Sequence, residues 1–275
     1  MTARRGRLDR PARGGEIILG RNAVLEVLRA GRRQVRLVHF DAGVQPGPVL
    51  QEIQKLASSR QVPVKVTPGE VWEERGEKAH GVAAEVSPYP YVAVEDILLA
   101  AEERQEPLLA LLLDELQDPQ NLGTLLRTAE ACGVHGVVIP YRRAAGITPA
   151  VVRASAGACE HMLIAAENLA QAIDRLHREG ARIVGLEADP GVGPWEAVDL
   201  AGPLGLVVGS EGQGMRHLVR QRCDVLARLA VAGQIGSLNV AVAGSIALYL
   251  VWSTRRQAGA GAAARVGSID APRES

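Results

Sequence analysis

Residues 108–127 read Leu-Leu-Ala-Leu-Leu-Leu-Asp-Glu-Leu-Gln-Asp-Pro-Gln-Asn-Leu-Gly-Thr-Leu-Leu-Arg. The run Leu108–Leu113 is continuously apolar, which is typical of a strand buried on both faces. Asp118-Pro119 predicts a turn, because proline lacks a backbone donor and restricts the residue before it. The apolar spacing that follows predicts a helix over Asn121–Cys132. A buried strand that leads through a turn into a helix is the repeating unit of a parallel α/β sheet.

Two further segments have the same form. Residues 206–215 read Leu-Val-Val-Gly-Ser-Glu-Gly-Gln-Gly-Met, and residues 236–243 read Gly-Ser-Leu-Asn-Val-Ala-Val-Ala. Each begins at the end of an apolar run and leads into a helix-like run. Ligands of open α/β sheets bind at the turns that follow the carboxyl ends of the strands. The three segments together therefore predict one composite site.

Each segment also has a simpler explanation that its residues alone leave open. Asn121 can cap a helix while Arg127 lies on the surface, since six residues separate them by about 240° around a helix. The glycines of Gly209–Gly214 let backbone amides approach a ligand, but a plain strand-to-helix connection has the same composition. The segment matches neither a dinucleotide fingerprint nor a phosphate loop, and Glu211 disfavours a polyphosphate ligand. Ser237 is predicted to cap a helix that is apolar on every side and ends at Trp252.

The remaining periodicity predicts alternating helices and strands. In the first part of the chain these are helix Asn22–Arg29, strand Val35–Phe40, helix Pro48–Arg60 and strands Val62–Val66 and Gly81–Val86. In the second part they are strand Gly136–Pro140, helices Pro149–Cys159 and Leu169–Glu179, strands Arg182–Leu186 and Leu204–Gly209, helix Met215–Cys223 and strand Val225–Val231. The pattern predicts a small α/β domain followed by a larger one with a mostly parallel sheet.

The predicted domain boundaries follow from breaks in composition. A disordered basic arm is expected over residues 1–15, and a first domain over 16–88. A proline-rich linker with one helix, Val94–Arg104, is expected over 89–106. The second domain is expected over 107–256 and an unstructured Ala/Gly-rich tail over 257–275.

Composition narrows the class of protein. The chain is 47% hydrophobic and 23% charged, as in ordinary globular domains, and its longest strongly apolar run is too short to span a bilayer. Cys132, Cys159 and Cys223 form no CxxC pair, and the six histidines show no metal-ligand spacing, so a metal site and a disulfide framework are not expected. These features predict a cytoplasmic protein with no membrane contact.

The net charge is zero, but residues 1–36 contain ten Arg and only three acidic residues. A basic arm on a neutral protein suits a polyanion such as RNA. A solubilising tail would have the same composition.

Taken together, the three segments resemble the three motifs of the SPOUT class of RNA methyltransferases, and within it the TrmH-like family of ribose 2′-O-methyltransferases. The resemblance covers residues 108–256. The first domain resembles the family's L7Ae/L30e-like substrate-binding module through Gly20-Arg-Asn-Ala-Val-Leu-Glu-Val-Leu and His80-Gly-Val-Ala-Ala-Glu-Val. The nearest branch methylates a guanosine ribose in 23S rRNA.

The resemblance implies a trefoil-knotted α/β domain with a parallel sheet that works as a homodimer on RNA. It implies S-adenosylmethionine as the cofactor, with Gly209, Gly212, Leu229 and Leu238 as its binding residues. The implied active-site residues are Arg127, Asn121, Glu211, Ser237 and Asn239. Two positions depart from the family pattern. Leu229-Ala230-Val231 replaces an Ile-Pro-Met-like segment, and Ala241 stands where Ser is common.

Three functions therefore follow from the sequence. The first is 2′-O-methylation of a guanosine in 23S rRNA, and the second is the same chemistry on tRNA. The third is a non-catalytic RNA-binding protein that has retained the fold. The presence of the candidate active-site residues favours the two enzymes over the third function.

Overall fold

The computed structural model of the chain describes residues 15–68, 81–141 and 144–267, with side chains to residue 258. Two compact units divide the chain. The first contains residues Met1–Tyr91, Asp118–Arg127 and Ala145–Met162, and the second contains Val92–Gln117, Thr128–Ala144 and Leu163–Ser275. The predicted basic arm lies outside the described residues except for Gly15.

The first unit is built on a four-stranded sheet with the order β1-β4-β2-β3. Its strands are β1 (Glu16–Leu19), β2 (Val35–Asp41), β3 (Val64–Thr67) and β4 (Val82–Val86). Its first helices are α1 (Arg21–Ala30) and α2 (Pro48–Ser59). Strand β4 is antiparallel to β1 and β2, whereas β3 is parallel to β2. The prediction missed β1, which is only four residues long and is followed by Gly20 with a φ of 102°.

The second unit contains a seven-stranded sheet with the order β7-β6-β5-β10-β8-β11-β9. Its strands are β5 (Leu109–Leu113), β6 (Gly136–Ile139), β7 (Ile164–Ala166), β8 (Arg182–Leu186), β9 (Gly193–Pro194), β10 (Leu204–Val208) and β11 (Val225–Arg228). Every pairing of these strands is parallel. The predicted parallel α/β sheet is therefore confirmed, and β5 and β10 are buried along their whole length, as continuous apolar runs indicate.

Most of the remaining helices connect successive strands along the chain, since parallel strands need crossover connections. They are α3 (Val94–Arg104), α4 (Pro119–Ala131), α5 (Pro149–Ala154), α6 (Leu169–Arg178), α7 (His217–Arg220) and α8 (Val240–Gly267). Gly180 follows α6 with a φ of 74°, the left-handed conformation that favours glycine after the end of a helix. Within the second unit, Ile97 of α3 packs so closely on Gly136 that a β-carbon there would lie 2.4 Å from it.

Several predicted boundaries are wrong for identifiable reasons. The helix predicted over Pro149–Cys159 ends at Ala154, because Ala156 and Gly157 have φ angles of 53° and 89° and turn the chain into a short 3-10 helix, Ala158–His161. The helix predicted from Met215 begins at His217, because the Arg216 amide bonds to the Asp114 carboxylate.

The C-terminal prediction is also corrected. Helix α8 continues to Gly267, although an unstructured tail was expected from residue 257. Five of the seven residues 258–264 are alanine, which has the highest helix propensity of all residues. Residues 268–275 lie outside the described part of the chain.

A buried ion pair stabilises the first unit. Arg33, with a side chain 0% exposed, bonds to the Glu160 carboxylate, 1% exposed, at 3.1 Å. Its Nε atom also donates to the Ser87 carbonyl at 2.8 Å. Burial raises the pKa of Glu160, and the Arg33 guanidinium opposes that rise. Each charge would be expensive to bury without the other.

We expect Arg33→Ala to lower the free energy of unfolding by about 3–5 kcal/mol, because it leaves the Glu160 carboxylate buried and unpaired. The matched control is Arg29→Ala, four residues earlier, whose exposed side chain pairs with Glu26 and Glu52 on the surface. Urea denaturation should show a large loss of stability for the first variant and almost none for the second. Equal losses would contradict the importance of the buried pair.

Candidate functional site

A cavity of about 690 Å³ lies at the carboxyl edge of the seven-stranded sheet. Strands β10, β8 and β11 are neighbours and parallel, so their carboxyl ends reach the same edge. The lining consists of the loops after these strands and the start of α8, namely Leu186–Pro190, Val208–Gly214, residues 228, 229 and 231, and Gly236–Val240 with Ala243. The volume falls in the range of small-molecule sites.

The loop after β10 is held in a tight turn by its own backbone. The amides of Ser210 and Gly214 donate to each other's carbonyl oxygens at 2.9 and 3.1 Å. Gly212 and Gly214 have φ angles of 79° and 65°, which favour glycine. A β-carbon on Gly209 would lie 2.3 Å from the Gly214 carbonyl carbon, so this position excludes any side chain. The three glycines therefore bring the loop's backbone close to the cavity, beside the side chain of Glu211.

Asn239 joins this loop to the start of helix α8. Its Oδ1 accepts hydrogen bonds from the amides of Ala241 and Val242 at 2.9 and 3.2 Å. Its Nδ2 donates to Glu211 Oε1 at 2.9 Å. The two ends of one amide thus fix the helix N-terminus and the carboxylate of Glu211 together.

These bonds correct the prediction that Ser237 caps the helix. Asn239 is the N-cap, and α8 begins at Val240 rather than at Ser237. Ser237 and Leu238 are exposed and line the cavity, as does the half-buried Leu229. The helix itself is buried on one face only. Val242, Ile246 and Tyr249 are 44%, 39% and 56% exposed on the other, so this apolar helix leaves part of its surface uncovered by its own chain.

The charged residues of the lining are mostly acidic. Glu187, Asp189 and Glu211 contribute carboxylates, and Arg228 is the single arginine or lysine among the described lining residues. Glu187 also pairs with Arg220 at 2.9 Å. An excess of carboxylates favours a cationic ligand and disfavours a polyphosphate.

Asp114 is a contributor that the sequence analysis missed. It lies at the end of β5 with its side chain 0% exposed and accepts from the Arg216 amide and the Arg216 Nε, both at 2.7 Å. Arg216 directly follows the cavity loop and Met215, so this buried carboxylate anchors the far end of that loop. An acidic residue directly after six apolar ones was the available signal.

Asn121 and Arg127 do not line the cavity. Both lie on α4, in the part of that helix that belongs to the first unit, and Arg127 is exposed. Asp118 caps α4, since its carboxylate accepts from the amides of Gln120 and Asn121 at 3.2 Å each. Asn121 is therefore not the N-cap that its residue type allowed.

A metal site, a reactive thiol and a membrane-spanning helix each place a requirement on the described residues. Within residues 15–68, 81–141 and 144–267, no three His, Cys, Asp or Glu side chains are arranged to hold a metal ion. Burial raises the pKa of the Cys223 thiol to about 12, so it remains protonated at neutral pH. In the same part of the chain, no helix has both the length and the apolar character needed to cross a membrane.

Two family models match the chain. One, described as the SpoU rRNA Methylase family, matches residues 108–249, and the other, described as RNA 2'-O ribose methyltransferase substrate binding, matches residues 17–92. A Bacillus subtilis protein assigned to the TrmH family of tRNA/rRNA methyltransferases is 38% identical over 246 residues, covering 89% of this chain and 98% of that protein. A Mycolicibacterium vanbaalenii protein named as an uncharacterized tRNA/rRNA methyltransferase is also 38% identical, covering 88% of this chain and 78% of its own length.

Solved structures share the fold at lower identity. The SpoU methyltransferase AviRb from Streptomyces viridochromogenes, in complex with AdoMet, has a TM-score of 0.75 at 22% identity and covers 89% of this chain and 92% of its own. An AdoMet-bound rRNA methyltransferase from Sinorhizobium meliloti has a TM-score of 0.70 at 24% identity and covers 87% of each chain.

The capping bonds give a direct test of how the site is built. Asn239→Ala should lower the free energy of unfolding by about 1 kcal/mol, because α8 loses its N-cap. Ser237→Ala, two residues earlier, should change it by no more than about 0.5 kcal/mol. Denaturant titration of the two variants would distinguish the caps, and a larger loss for the Ser237 variant would reverse the assignment.

Proposed function

Because the chain belongs to the SpoU/TrmH family of RNA methyltransferases, we propose that it methylates the ribose 2′-hydroxyl of a guanosine in 23S rRNA. The observation that carries this proposal is the acidic cavity beside a glycine-rich loop at the carboxyl edge of the sheet, inside the region that the methylase model matches. We also propose residues 16–88 as the RNA-binding domain, 89–106 as the linker and 107–256 as the methyltransferase domain.

S-adenosylmethionine is the proposed cofactor and, when bound, supplies a methyl group made electrophilic by its sulfonium. The cavity suits this molecule in volume and in charge, since carboxylates outnumber guanidinium groups around it. Gly209, Gly212, Leu229 and Leu238 would hold it, largely through their backbone. The proposal requires no metal.

The chain's own residues have to orient and activate the ribose. A 2′-hydroxyl is a poor nucleophile until its proton leaves, so positioning and charge stabilisation are the protein's main contributions. Arg127 is the proposed group that stabilises the developing alkoxide and contacts an RNA phosphate. An arginine keeps its charge at working pH and is therefore a poor base.

Glu211 and Asn239 form the polar pair beside the proposed cofactor loop. The Asn239 amide holds the Glu211 carboxylate in one orientation through a 2.9 Å hydrogen bond. Glu211 is one candidate for the group that accepts the ribose proton, and a phosphate oxygen of the RNA is the other. Ser237, exposed at the same cavity, and Asn121 are the further residues proposed to contact the substrate.

The first domain is the proposed RNA-binding part. The exposed side chains of Arg21 and Arg153 line a second cavity, of about 440 Å³, in the first unit. Residues 1–36 add further arginines, several of them outside the described residues. Arginine side chains at such positions provide phosphate contacts, which set affinity and its salt dependence. Transfer to tRNA remains the second candidate, because the named relatives are assigned to tRNA/rRNA methylation.

A homodimer through α8 and through α4, the helix near residues 121–132, is also proposed. Val242, Ile246 and Tyr249 recur at helical spacing and are partly exposed, and a continuous apolar patch of this kind marks an interface. Light scattering should then give twice the chain mass of 29.1 kDa. A fully active monomer would contradict this part of the proposal.

We expect Gly209→Ala to weaken S-adenosylmethionine binding by roughly tenfold or more, because its β-carbon would collide with the Gly214 backbone and displace the loop. Gly202→Ala is the control, since a β-carbon there meets nothing within 4 Å. Isothermal calorimetry with a chelator present measures both affinities. Binding that needs a divalent ion, or an unaffected Gly209→Ala variant, would argue against this cofactor site.

Arg127→Ala should leave folding and cofactor affinity nearly intact and lower methyl transfer by roughly 10²–10³-fold, the effect of losing one preorganised electrostatic donor. Arg127→Lys should restore little activity, because an ammonium lacks the planar, forked donors of a guanidinium. The measurement is single-turnover transfer to saturating 23S rRNA from cells that lack the protein. A wild-type rate in the alanine variant would remove Arg127 from the reaction.

A further inference from the structure

The first compact unit contains more than the N-terminal domain. It also includes Asp118–Arg127, the start of helix α4, and residues 145–162, which we call the connecting segment. Both lie within the region that the methylase family model matches. Arg127 therefore belongs to the same compact unit as the module proposed to bind RNA.

The connecting segment is fixed to the N-terminal domain at several points. Glu160 forms the buried ion pair with Arg33 at 3.1 Å. The Tyr89 hydroxyl, in a side chain that is buried, lies 2.8 Å from the carbonyl oxygens of Cys159 and Met162. His161 also bonds to Glu26 of α1 at 2.7 Å. Charged, aromatic and backbone contacts thus hold one end of the segment.

Helix α1 also packs in close van der Waals contact with the connecting segment at Gly157. Gly157 has a φ of 89°, and a β-carbon on it would lie 2.6 Å from Glu26 Cβ and 3.3 Å from the Ala23 Cα. Any larger residue at position 157 would have a strained backbone and would also clash with α1. The turn that ends α5 is therefore set at one distance from α1.

The other end of the segment contacts helix α4. A β-carbon on Gly123 would lie 2.4 Å from Ala154 Cβ and 2.8 Å from both the Ala154 carbonyl carbon and the Ser155 amide. Two of these three atoms are backbone and cannot rotate away. Because Arg127 follows Gly123 by four residues, it lies one turn further along nearly the same face of the helix.

We propose that the connecting segment positions Arg127 relative to the RNA held by the N-terminal domain, with Gly123 and Ala154 as the positioning residues. The inference rests on the proposed function. The segment is clamped to the domain at residues 157–162 and touches α4 at Gly123 with no clearance. A shift of either contact moves the guanidinium relative to the RNA, and misplacement of about 1 Å can reduce a rate by 10²-fold.

Gly123→Ala tests the proposal. Without the contact, alanine in a helix interior would stabilise the protein by up to about 1 kcal/mol relative to glycine. With it, α4 has to move, so the single-turnover rate on 23S rRNA should fall roughly 10–100-fold. Affinity for that RNA and for S-adenosylmethionine should stay within about a factor of two, the scatter of a neutral substitution.

Matched variants separate positioning from a merely structural effect. Gly47→Ala, in the same unit and with nothing within 4 Å of the added carbon, should retain the wild-type rate. Adding Ala154→Gly to Gly123→Ala removes the nearest of the three clashes and should restore part of the rate. If Gly123→Ala does not fold, Ala154→Gly alone loosens the contact without a clash and should slow transfer by about threefold to tenfold at unchanged RNA affinity.

Hydrogen exchange gives a readout that does not depend on methyl transfer. Addition of 23S rRNA should protect the amides of α4 in the wild-type protein and not in Gly123→Ala. A folded Gly123→Ala variant with full rate, or one whose RNA affinity falls in parallel with its rate, would overturn the positioning role. Absence of transfer by the wild-type protein and by Gly47→Ala would instead overturn the proposed function itself.

Discussion

The parallel arrangement of β8, β10 and β11 is the constraint on which the candidate site depends. Parallel neighbours end at the same edge of a sheet, so three loops distant in sequence line one cavity. In the loop after β10, the backbone at Gly209 lies close to the backbone at Gly214. Asp114 and Asn239 hold the neighbouring segments in place through hydrogen bonds. The cavity lining combines the backbone of the glycine-rich loop, apolar side chains such as Leu229 and Leu238, and a small number of carboxylates.

The sequence predicted the sheet well because its signals are local and strong. Two continuous apolar runs, Leu108–Leu113 and Leu204–Gly209, became the buried central strands β5 and β10. Gly209, Leu229, Leu238 and Asn239, which the family resemblance implied as site residues, line one cavity, and their roles stay predictions. The trefoil knot also stays a prediction, because residue periodicity carries no information on how a chain is threaded.

The wrong predictions have a common physical origin. Ser237 and Asn239 are both good capping residues, as are Asp118 and Asn121, and only the folded geometry selects one of each pair. Helix α5 ends before Ala156, which has a positive φ. An alanine in a sequence gives no sign that its φ will be positive. Tertiary context decided each of these cases.

The candidate residues divide between the two compact units. The proposed cofactor loop, Glu211 and Asn239 belong to the second, whereas Asn121 and Arg127 belong to the first together with the substrate-binding module. In this account, one unit provides the methyl donor site and the other provides the RNA contacts and the guanidinium. Activity would then depend on RNA recognition as well as on cofactor binding.

Mass-spectrometric mapping of ribose methylation in rRNA and tRNA, from cells with and without this protein, tests the central claim most directly. The account predicts that one 2′-O-methylguanosine in 23S rRNA is lost without the protein and restored by the wild-type gene but not by the Arg127→Ala variant. Loss of a methyl group from tRNA alone, or no change in either RNA, would contradict it.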